Sequence, residues 1–487
     1  MKSQIENPEF DSQTKENLTL VQSEHGSKPI LSSKFIRQVE QSGMTEAIEN
    51  SMMFKEMQVA KRLGGKKSKK VDVKKLDDAI RAGTSEAMKC TLIITEGDSA
   101  KSSALAGVSS VQGATKYFGI YPLRGKMLNV RDLSVNDIKK NAEITAIIQA
   151  MGFNFSKKYD QPGDIETLRY GKMMIMTDQD VDGSHIKGLV INFIHKYWPA
   201  LIQSSFIEQF ITPIVRVYPK KDANKPIISK QNFYSLPEFD TWHRNQNNPE
   251  QYIVDYYKGL GTSTSEEFKE YFADLARHRI SFDYTGDMCG DAVSMVFTKA
   301  RIAERKVWLS EFMMDAEQRK QENRDALTIY NETQIKTMSY SDFINKEFIL
   351  FSHADLTRSI ASTVDGLKPG QRKVMWTCFK RNDQQKIKVA QLAGSVAELS
   401  AYHHGEAALV GTIVKMGQNY VGSNNINILQ PLGQFGSRIF GGKDHAAARY
   451  IYTKLRYRHI LFFLESRVDR LAVNLVLSLI YLVQLRG

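Results

Sequence analysis

The sequence predicts a multidomain chain of mixed α/β and α+β class, with a parallel-sheet domain first and a smaller, mostly helical domain after it. Three observations carry this. Two short β-rich apolar runs, Thr91–Thr95 and Met173–Met176, show no alternation and run straight into acidic residues, as strands buried on both faces of a parallel sheet do. Each is followed by a stretch of helical spacing, from Ser99 to Ala106 and from Lys187 to Leu201. Further on, a basic helical segment from Gly366 and two short ones, Val389–Leu399 and Gly405–Gln418, have the tight connections of a helix-turn-helix or its winged relative.

With 487 residues, 42% of them hydrophobic and 10% aromatic, the chain has room for about two to four domains and a sizeable core. The net charge of +12 calls for an anionic partner: nucleic acid, a membrane surface or an acidic protein. Cys90, Cys289 and Cys378 are scattered without a CxxC, which argues against a zinc site or disulfide frame and for a reducing compartment. No secretory signal or transit peptide opens the sequence. The apolar run Leu471–Leu485 is short for a membrane span and is broken by Asn474, Ser478 and Gln484; it reads as a buried helix or aberrant sequence, and no membrane partner is expected.

In chain order, residues 1–30 are polar, and Phe35, Ile36, Val39, Met44, Ile48, Met52, Met53 and Met57 then recur at helical spacing, predicting a pair of amphipathic helices within 1–60. Residues 61–85 form a basic linker, with eight Lys/Arg between Lys61 and Lys75 around Gly64-Gly65. Such a run is either a solvated face or a contact with DNA phosphate. Residues 86–275 are expected to hold the α/β domain, with Ser99 as a helix N-cap and further strands at 118–123, 210–217 and 252–257. Residues 276–340 read as a charged helical connector, and 341–454 as the second domain. In that domain Pro369 suits a first helical turn; Val374, Met375, Cys378 and Phe379 form the buried stripe, leaving Arg372, Lys373, Lys380 and Arg381 for phosphate.

The chemistry centres on the acids. Asp178, Asp180 and Asp182 follow the second apolar run at every second position, and Glu96 ends the first. Carboxylates delivered together at the carboxyl edge of one sheet repel, and are best offset by a hard divalent cation or a shared proton. A calcium EF-hand loop is excluded: it needs a Glu at its twelfth position, which is Leu189, and a helix where the sequence has a strand. Glu96, Asp178 and Asp180 are therefore the candidate magnesium ligands. His185 sits beside the acids as a ligand or an outer neighbour; Asp98 and Asp182 are turn-formers or outer acceptors.

The strand-EGDSA and strand-DQDVDG pair resembles a Toprim domain, the metal-binding module of topoisomerases, primases and some nucleases. Pro122-Leu-Arg-Gly-Lys126 and Tyr257-Lys-Gly-Leu-Gly-Thr262 resemble narrower motifs of type II DNA topoisomerases, as do GLKPGQRK from Gly366, KVAQLAG from Lys388, AYHHGE from Ala401 and QNYVGSNN from Gln418. The resemblance implies a Rossmann-like Toprim sheet followed by a winged-helix domain in the eukaryotic single-chain order, and magnesium-dependent breakage and rejoining of double-stranded DNA. In the segment Gly441–Tyr450 it makes Tyr450 the nucleophile in preference to Tyr452, with Arg449 beside it. A phenol of ordinary pKa about 10 needs help to attack a phosphodiester; Arg449 and Arg372 would offset charge on phosphorus and His404 would take or give a proton. Arg124, Lys126, Lys258, Lys368 and Lys373 are the implied DNA contacts.

Asn7–Lys15 resembles the family's QTK loop, in which Gln13 and Lys15 would approach the terminal phosphate of ATP. The resemblance further implies a homodimer, a nuclear location and, in the complete enzyme, coupling of ATP hydrolysis to changes in DNA topology and chromosome separation. It runs to about Lys454, leaving 455–487 as an atypical tail. The expectation is a truncated product, or one whose reading frame has changed, that at best cuts and reseals DNA without ATP-driven duplex passage. A DNA-binding fragment without turnover and a Toprim-type nuclease are the alternatives.

Overall fold

The computed structural model describes residues 19, 32–42, 70–161, 163–220, 230–234, 236–257, 259–322, 336–381, 385–402, 405–423 and 427–456. They fall into two compact units, residues 1–349 and 350–487, each described by itself. Helix α1 (Ser33–Gln41) begins at an N-cap serine, Ser32. Phe35 and Ile36, expected on a buried stripe, are exposed there. The methionines after it and the basic run 61–69 lie outside the described residues.

The first unit is built on a six-stranded sheet. Strands β1 (Thr91–Glu96), β2 (Phe118–Leu123), β3 (Lys172–Met176) and β4 (Ile207–Phe210) pair in parallel in the order β2-β1-β3-β4. Helix α2 (Gly97–Ser110) links β1 to β2, α3 (Ala142–Met151) lies between β2 and β3, and α4 (Val181–Tyr197) leads from β3 to β4. The chain thus leaves β1 toward one side of the sheet and resumes at β3 on the other. That reversal opens a crevice beyond the carboxyl ends of β1 and β3, where open α/β sheets place their ligand sites.

The expected burial on both faces holds: all of β1 but Glu96 and all of β3 but Lys172 are buried. One face packs Ile93, Met174, Met176 and Phe210 against Ala100, Ala104 and Val108 of α2 and against Phe268, Tyr271 and Phe272 of α5 (Ser265–Ala273). Each such large apolar side chain contributes about 1.5–3 kcal/mol by leaving water. Small residues on α2 let α5 approach closely: a Cβ on Gly107 would overlap the Phe272 ring.

Several expectations need correction. α2 starts at Gly97, with Glu96 rather than Ser99 in the N-cap position, because Gly97 adopts φ +86° and turns the chain at once. The strand expected over 210–217 is two: β4 ends at Phe210 and β5 (Val215–Pro219) begins after Pro213, which lacks the N–H a ladder needs. β5 pairs antiparallel with β6 (Gln231–Phe233) and β7 (Tyr252–Tyr256) in a separate sheet over Val215, Val217, Phe233 and Phe239.

The connector expected over 276–340 supplies two strands of the main sheet, β8 (Arg279–Asp283) antiparallel to β4 and β9 (Thr337–Ser339) beside it. Arg279 turns its charge to structural use, making a bidentate pair with the fully buried Glu208 of β4 at 2.6 and 2.7 Å, while Lys172 reaches the same carboxylate at 2.5 Å. The middle of the connector is a helix as expected, α6 (Ile302–Gln321), with no buried residue. The following segment also belongs to the first unit rather than the second: Phe343, Ile344 and Phe348 of a π-helical turn, Phe343–Phe348, are buried in it. Among the described residues no helix is long and apolar enough to cross a membrane.

In the second unit α7 (Pro369–Arg381), α8 (Val389–Leu399) and α9 (Glu406–Gly417) pack around Val374, Met375, Leu392, Val396, Leu409 and Ile413. A short ladder joins β10 (Ile387–Lys388) to β11 (Tyr452–Thr453) and closes the core over Phe435 and Ile451. Pro369 opens α7 as expected, but Phe379 is 44% exposed, so the buried stripe is narrower than the spacing implies.

Gly107→Ala should lower stability by about 1–3 kcal/mol through overpacking against Phe272. Gly411→Ala, mid-helix and facing open space, should raise it by up to about 1 kcal/mol. Urea denaturation of both variants compares them directly; equal effects would refute the packing described for α2 and α5.

Candidate functional site

The acids assemble where the sheet reverses. Thr95 and Met176 are register partners, so Glu96 and Asp178 leave neighbouring strands side by side, and the Asp178 N–H donates to Glu96 Oε2 at 3.3 Å. Asp180 caps α4, accepting from the Gly183 N–H at 2.7 Å, and Asp182 lies in the first turn. Burial, then the charge of Asp178, pushes the Glu96 carboxyl up to about 7; the Asp178 N–H opposes this, and Asp180 and Asp182 add to it. Asp178 is also raised, first by burial and then by Asp180, against the hydrogen bond from Leu260.

Two further motifs close on this cluster. In the Tyr257–Thr262 segment the Leu260 N–H donates to Asp178 Oδ1 at 2.7 Å, and Gly259 lies so close that a Cβ there would overlap the Asp178 carboxylate. In the Pro122–Lys126 segment Lys126 Nζ pairs with Asp182 Oδ1 at 2.6 Å. The Arg124 N–H donates to the Glu143 carboxylate of α3, which anchors the loop and leaves the Arg124 residue exposed. Sequence reasoning missed the roles of Gly259, Leu260 and Glu143, although the glycine pair in the Tyr257–Thr262 motif signals close backbone approach.

Asp98 pairs instead with Lys75, the last cation of the Lys61–Lys75 run, at 2.5 Å, and that hydrogen bond lowers its pKa. Lys75 holds a left-handed φ of +68°. His185 stands edge-on to Phe348, with ring centroids 6.0 Å apart.

The donor chemistry suits a hard divalent cation. Glu96 and Asp178 offer adjacent carboxylates, and Thr177 Oγ1 beside them is buried without a hydrogen-bond partner among the described residues. Among those residues no three His, Cys, Asp or Glu side chains form a complete metal-binding group. A magnesium ion asks for less, being held by one or two carboxylates while it keeps several waters.

In the second unit Tyr450 ends a turn, its N–H bonded to Ala447 O at 2.9 Å, and it is 65% exposed. The Arg449 guanidinium stacks 4.8 Å from the Tyr450 ring centroid. Tyr452 sits in the β10–β11 ladder with Lys386 and Lys388 at its ring, 5.3 and 6.0 Å from the centroid.

The expectation that Arg372 and Lys373 are left for phosphate is not met. Arg372 makes a bidentate pair with Asp365 at 2.6 and 2.8 Å, and Lys373 donates to the Ser400 and Ala401 carbonyls at 2.8 and 3.2 Å. The turn ahead of α7 carries its own carboxylate, which spacing alone does not reveal. Lys368 is exposed. His404, Lys258, Gln13 and Lys15 lie outside the described residues.

Three family models match the chain in succession: the Toprim domain over residues 91–210, the C-terminal associated domain of TOPRIM over 210–356, and the DNA gyrase/topoisomerase IV family over 358–469. The chain is 54% identical over 453 residues to DNA topoisomerase 2-beta of Gallus gallus, covering 93% of this chain and 27% of that protein. The chain belongs to the type II DNA topoisomerase family. Against DNA topoisomerase 2 of Drosophila melanogaster the identity is 53% over 450 residues, 92% of this chain and 30% of the relative. The crystal structure of the Plasmodium falciparum topoisomerase II DNA-binding, cleavage and re-ligation domain superposes with a TM-score of 0.65 at 49% identity, covering 80% of this chain and 50% of that one.

The chain spans under a third of the length of the curated relatives it matches. The third family match runs past Lys454, where the resemblance read from the motifs stops, and residues 455–456 still pair with the body of the second unit through Leu429 and Ile428.

Proposed function

We propose that this chain is the cleavage core of a type II DNA topoisomerase, which breaks and rejoins double-stranded DNA through a 5′-phosphotyrosyl bond to Tyr450. The observation that carries this reading is the convergence of four separate motifs on one carboxylate cluster at the sheet's switch point. Glu96, Asp178 and Asp180 would hold Mg2+, which when bound supplies charge stabilisation for phosphoryl transfer.

The Tyr450 oxygen attacks phosphorus, forming the Tyr–O–P bond as the bond to the 3′ oxygen breaks. The phenolic proton passes to a base, for which His404 is the candidate, and the 3′ oxygen leaves as the hydroxyl once protonated. One phosphoester replaces another, so the reverse step reseals the strand without a nucleotide. Arg449, stacked on the nucleophile's ring, would offset the charge that builds on the phosphoryl oxygens. Arg372 is held by Asp365, and reaches phosphate only by exchanging that carboxylate for it.

Arg124 and Lys368 are exposed for DNA contact, and Lys258 would join them; Lys126 and Lys373 reach phosphate only by giving up Asp182 and the Ser400 and Ala401 carbonyls. A homodimer would pair the tyrosine of one subunit with the carboxylates of the other. Gln13 and Lys15 would serve ATP in the complete enzyme, working in the nucleus.

Trapping with denaturant and magnesium tests the reading: a covalent protein–DNA adduct is expected, whereas free 5′-phosphate ends would mean a nuclease and intact DNA a binding fragment. Tyr450→Phe should abolish the adduct with DNA affinity nearly unchanged; loss with Tyr452→Phe instead would reassign the nucleophile. Asp178→Ala or Asp180→Ala should remove magnesium-dependent cleavage, and normal cutting at limiting magnesium by either variant would displace the proposed ligands. DNA affinity should fall log-linearly with salt; a salt-independent affinity would point to a different partner.

A further inference from the structure

A buried ionic network lies along α4, within two turns of the acidic loop. Ser184 and Lys187, the latter 2% exposed, project from the helix that Asp180 caps and that carries Asp182. Ser184 bonds back to Asp180, its N–H donating to the Asp180 carbonyl at 3.1 Å. Its hydroxyl donates to Glu347 Oε1 at 2.7 Å. Lys187 pairs with that same Glu347 oxygen and donates to Gln209 Oε1 at 3.0 Å, Gln209 being fully buried on β4.

Glu347 is delivered by the π-helical turn Phe343–Phe348, a wide turn that often marks a functional site. Gly188 lets this turn seat directly on α4, since a Cβ there would lie 2.5 Å from the Phe348 ring. The matched Toprim domain contributes Ser184, Lys187 and Gln209, and Glu347 comes from the matched C-terminal associated domain.

Stability alone does not account for this network, because a buried ion pair is commonly no better than well-packed apolar residues of similar volume. Specificity does. An apolar contact tolerates small slides and rotations of a helix, whereas one carboxylate oxygen that must meet both a hydroxyl and an ammonium a turn apart admits a single register. A shift of one residue turns an α-helix by about 100°, which would swing Asp180 and Asp182 away from Glu96.

We propose that Glu347, Lys187 and Ser184 are positioning residues that lock the register of α4 and so set the divalent-cation affinity of the acidic loop. The proposal rests on the reading that this loop holds the cation. Outer contacts of this kind govern metal affinity by about 10–100-fold in metal sites generally.

Calorimetric titration of the full chain with Mn2+ alone, beside its thermal melting midpoint, separates positioning from bulk structure. Lys187→Met combined with Glu347→Leu removes both charges, so the melting midpoint should stay close to that of the unsubstituted chain while Mn2+ affinity falls about 10-fold or more. A folded double variant with unchanged Mn2+ affinity overturns the proposal. Should the double variant fail to fold, Ser184→Ala decides, with affinity expected to fall at least about 3-fold and unchanged affinity overturning it equally. Asp178→Ala is the control on the underlying reading: Mn2+ binding that survives it sinks that reading, and the proposal with it.

Discussion

Mutual repulsion among Glu96, Asp178, Asp180 and Asp182 is the constraint on which the rest of the first unit depends. Four carboxylates within a few residues of two strand ends would splay apart in a loose loop. Here each is held by something specific: Glu96 by the Asp178 N–H, Asp178 by the Leu260 N–H, Asp180 by the first turn of α4, and Asp182 by Lys126. Leu260 and Lys126 come from segments far apart in sequence, so the cluster forms only once the sheet and both loops are in place. Burial without full neutralisation is what drives the Glu96 carboxyl toward neutrality.

The same logic explains the charge buried elsewhere in this unit. Glu208 and Glu347 are both buried carboxylates, and each is matched by cations that arrive from other elements: Arg279 and Lys172 for the first, Lys187 for the second. Glu208 ties the parallel strands to the antiparallel strand β8. Glu347 ties α4 to the π-helical turn. The acidic loop is thus gripped from several elements, and each grip is an interaction whose loss would leave an unpaired charge in the interior.

The second unit treats two neighbouring tyrosines differently. Tyr450 and Tyr452 are two residues apart, yet the ladder takes Tyr452 and the preceding turn leaves Tyr450 toward solvent with Arg449 over its ring. Period-two alternation would send both side chains to one face. The turn at Ala447–Tyr450 breaks it, since Tyr450 lies before the strand begins.

Local chemistry is what the sequence by itself determined. Unbroken apolar runs require strands buried on both faces, and Thr91–Glu96, Phe118–Leu123 and Lys172–Met176 form them. Acids placed directly after such runs must emerge at the carboxyl edge. Helices α8 and α9 were legible from their spacing, and the family from motifs whose residues adjoin one another. Tertiary structure decided whatever depends on a distant partner. The run over 210–217 belongs to two sheets because Pro213 interrupts the ladder and different neighbours wait on either side. The charged segment after 276 becomes sheet because Glu208, far earlier in the chain, matches Arg279. Arg372 and Lys373 look available for phosphate until Asp365 and the carbonyls after α8 engage them. A side chain's type is written in the sequence, but whether its charge is free or committed is settled only by what the fold brings within hydrogen-bonding distance.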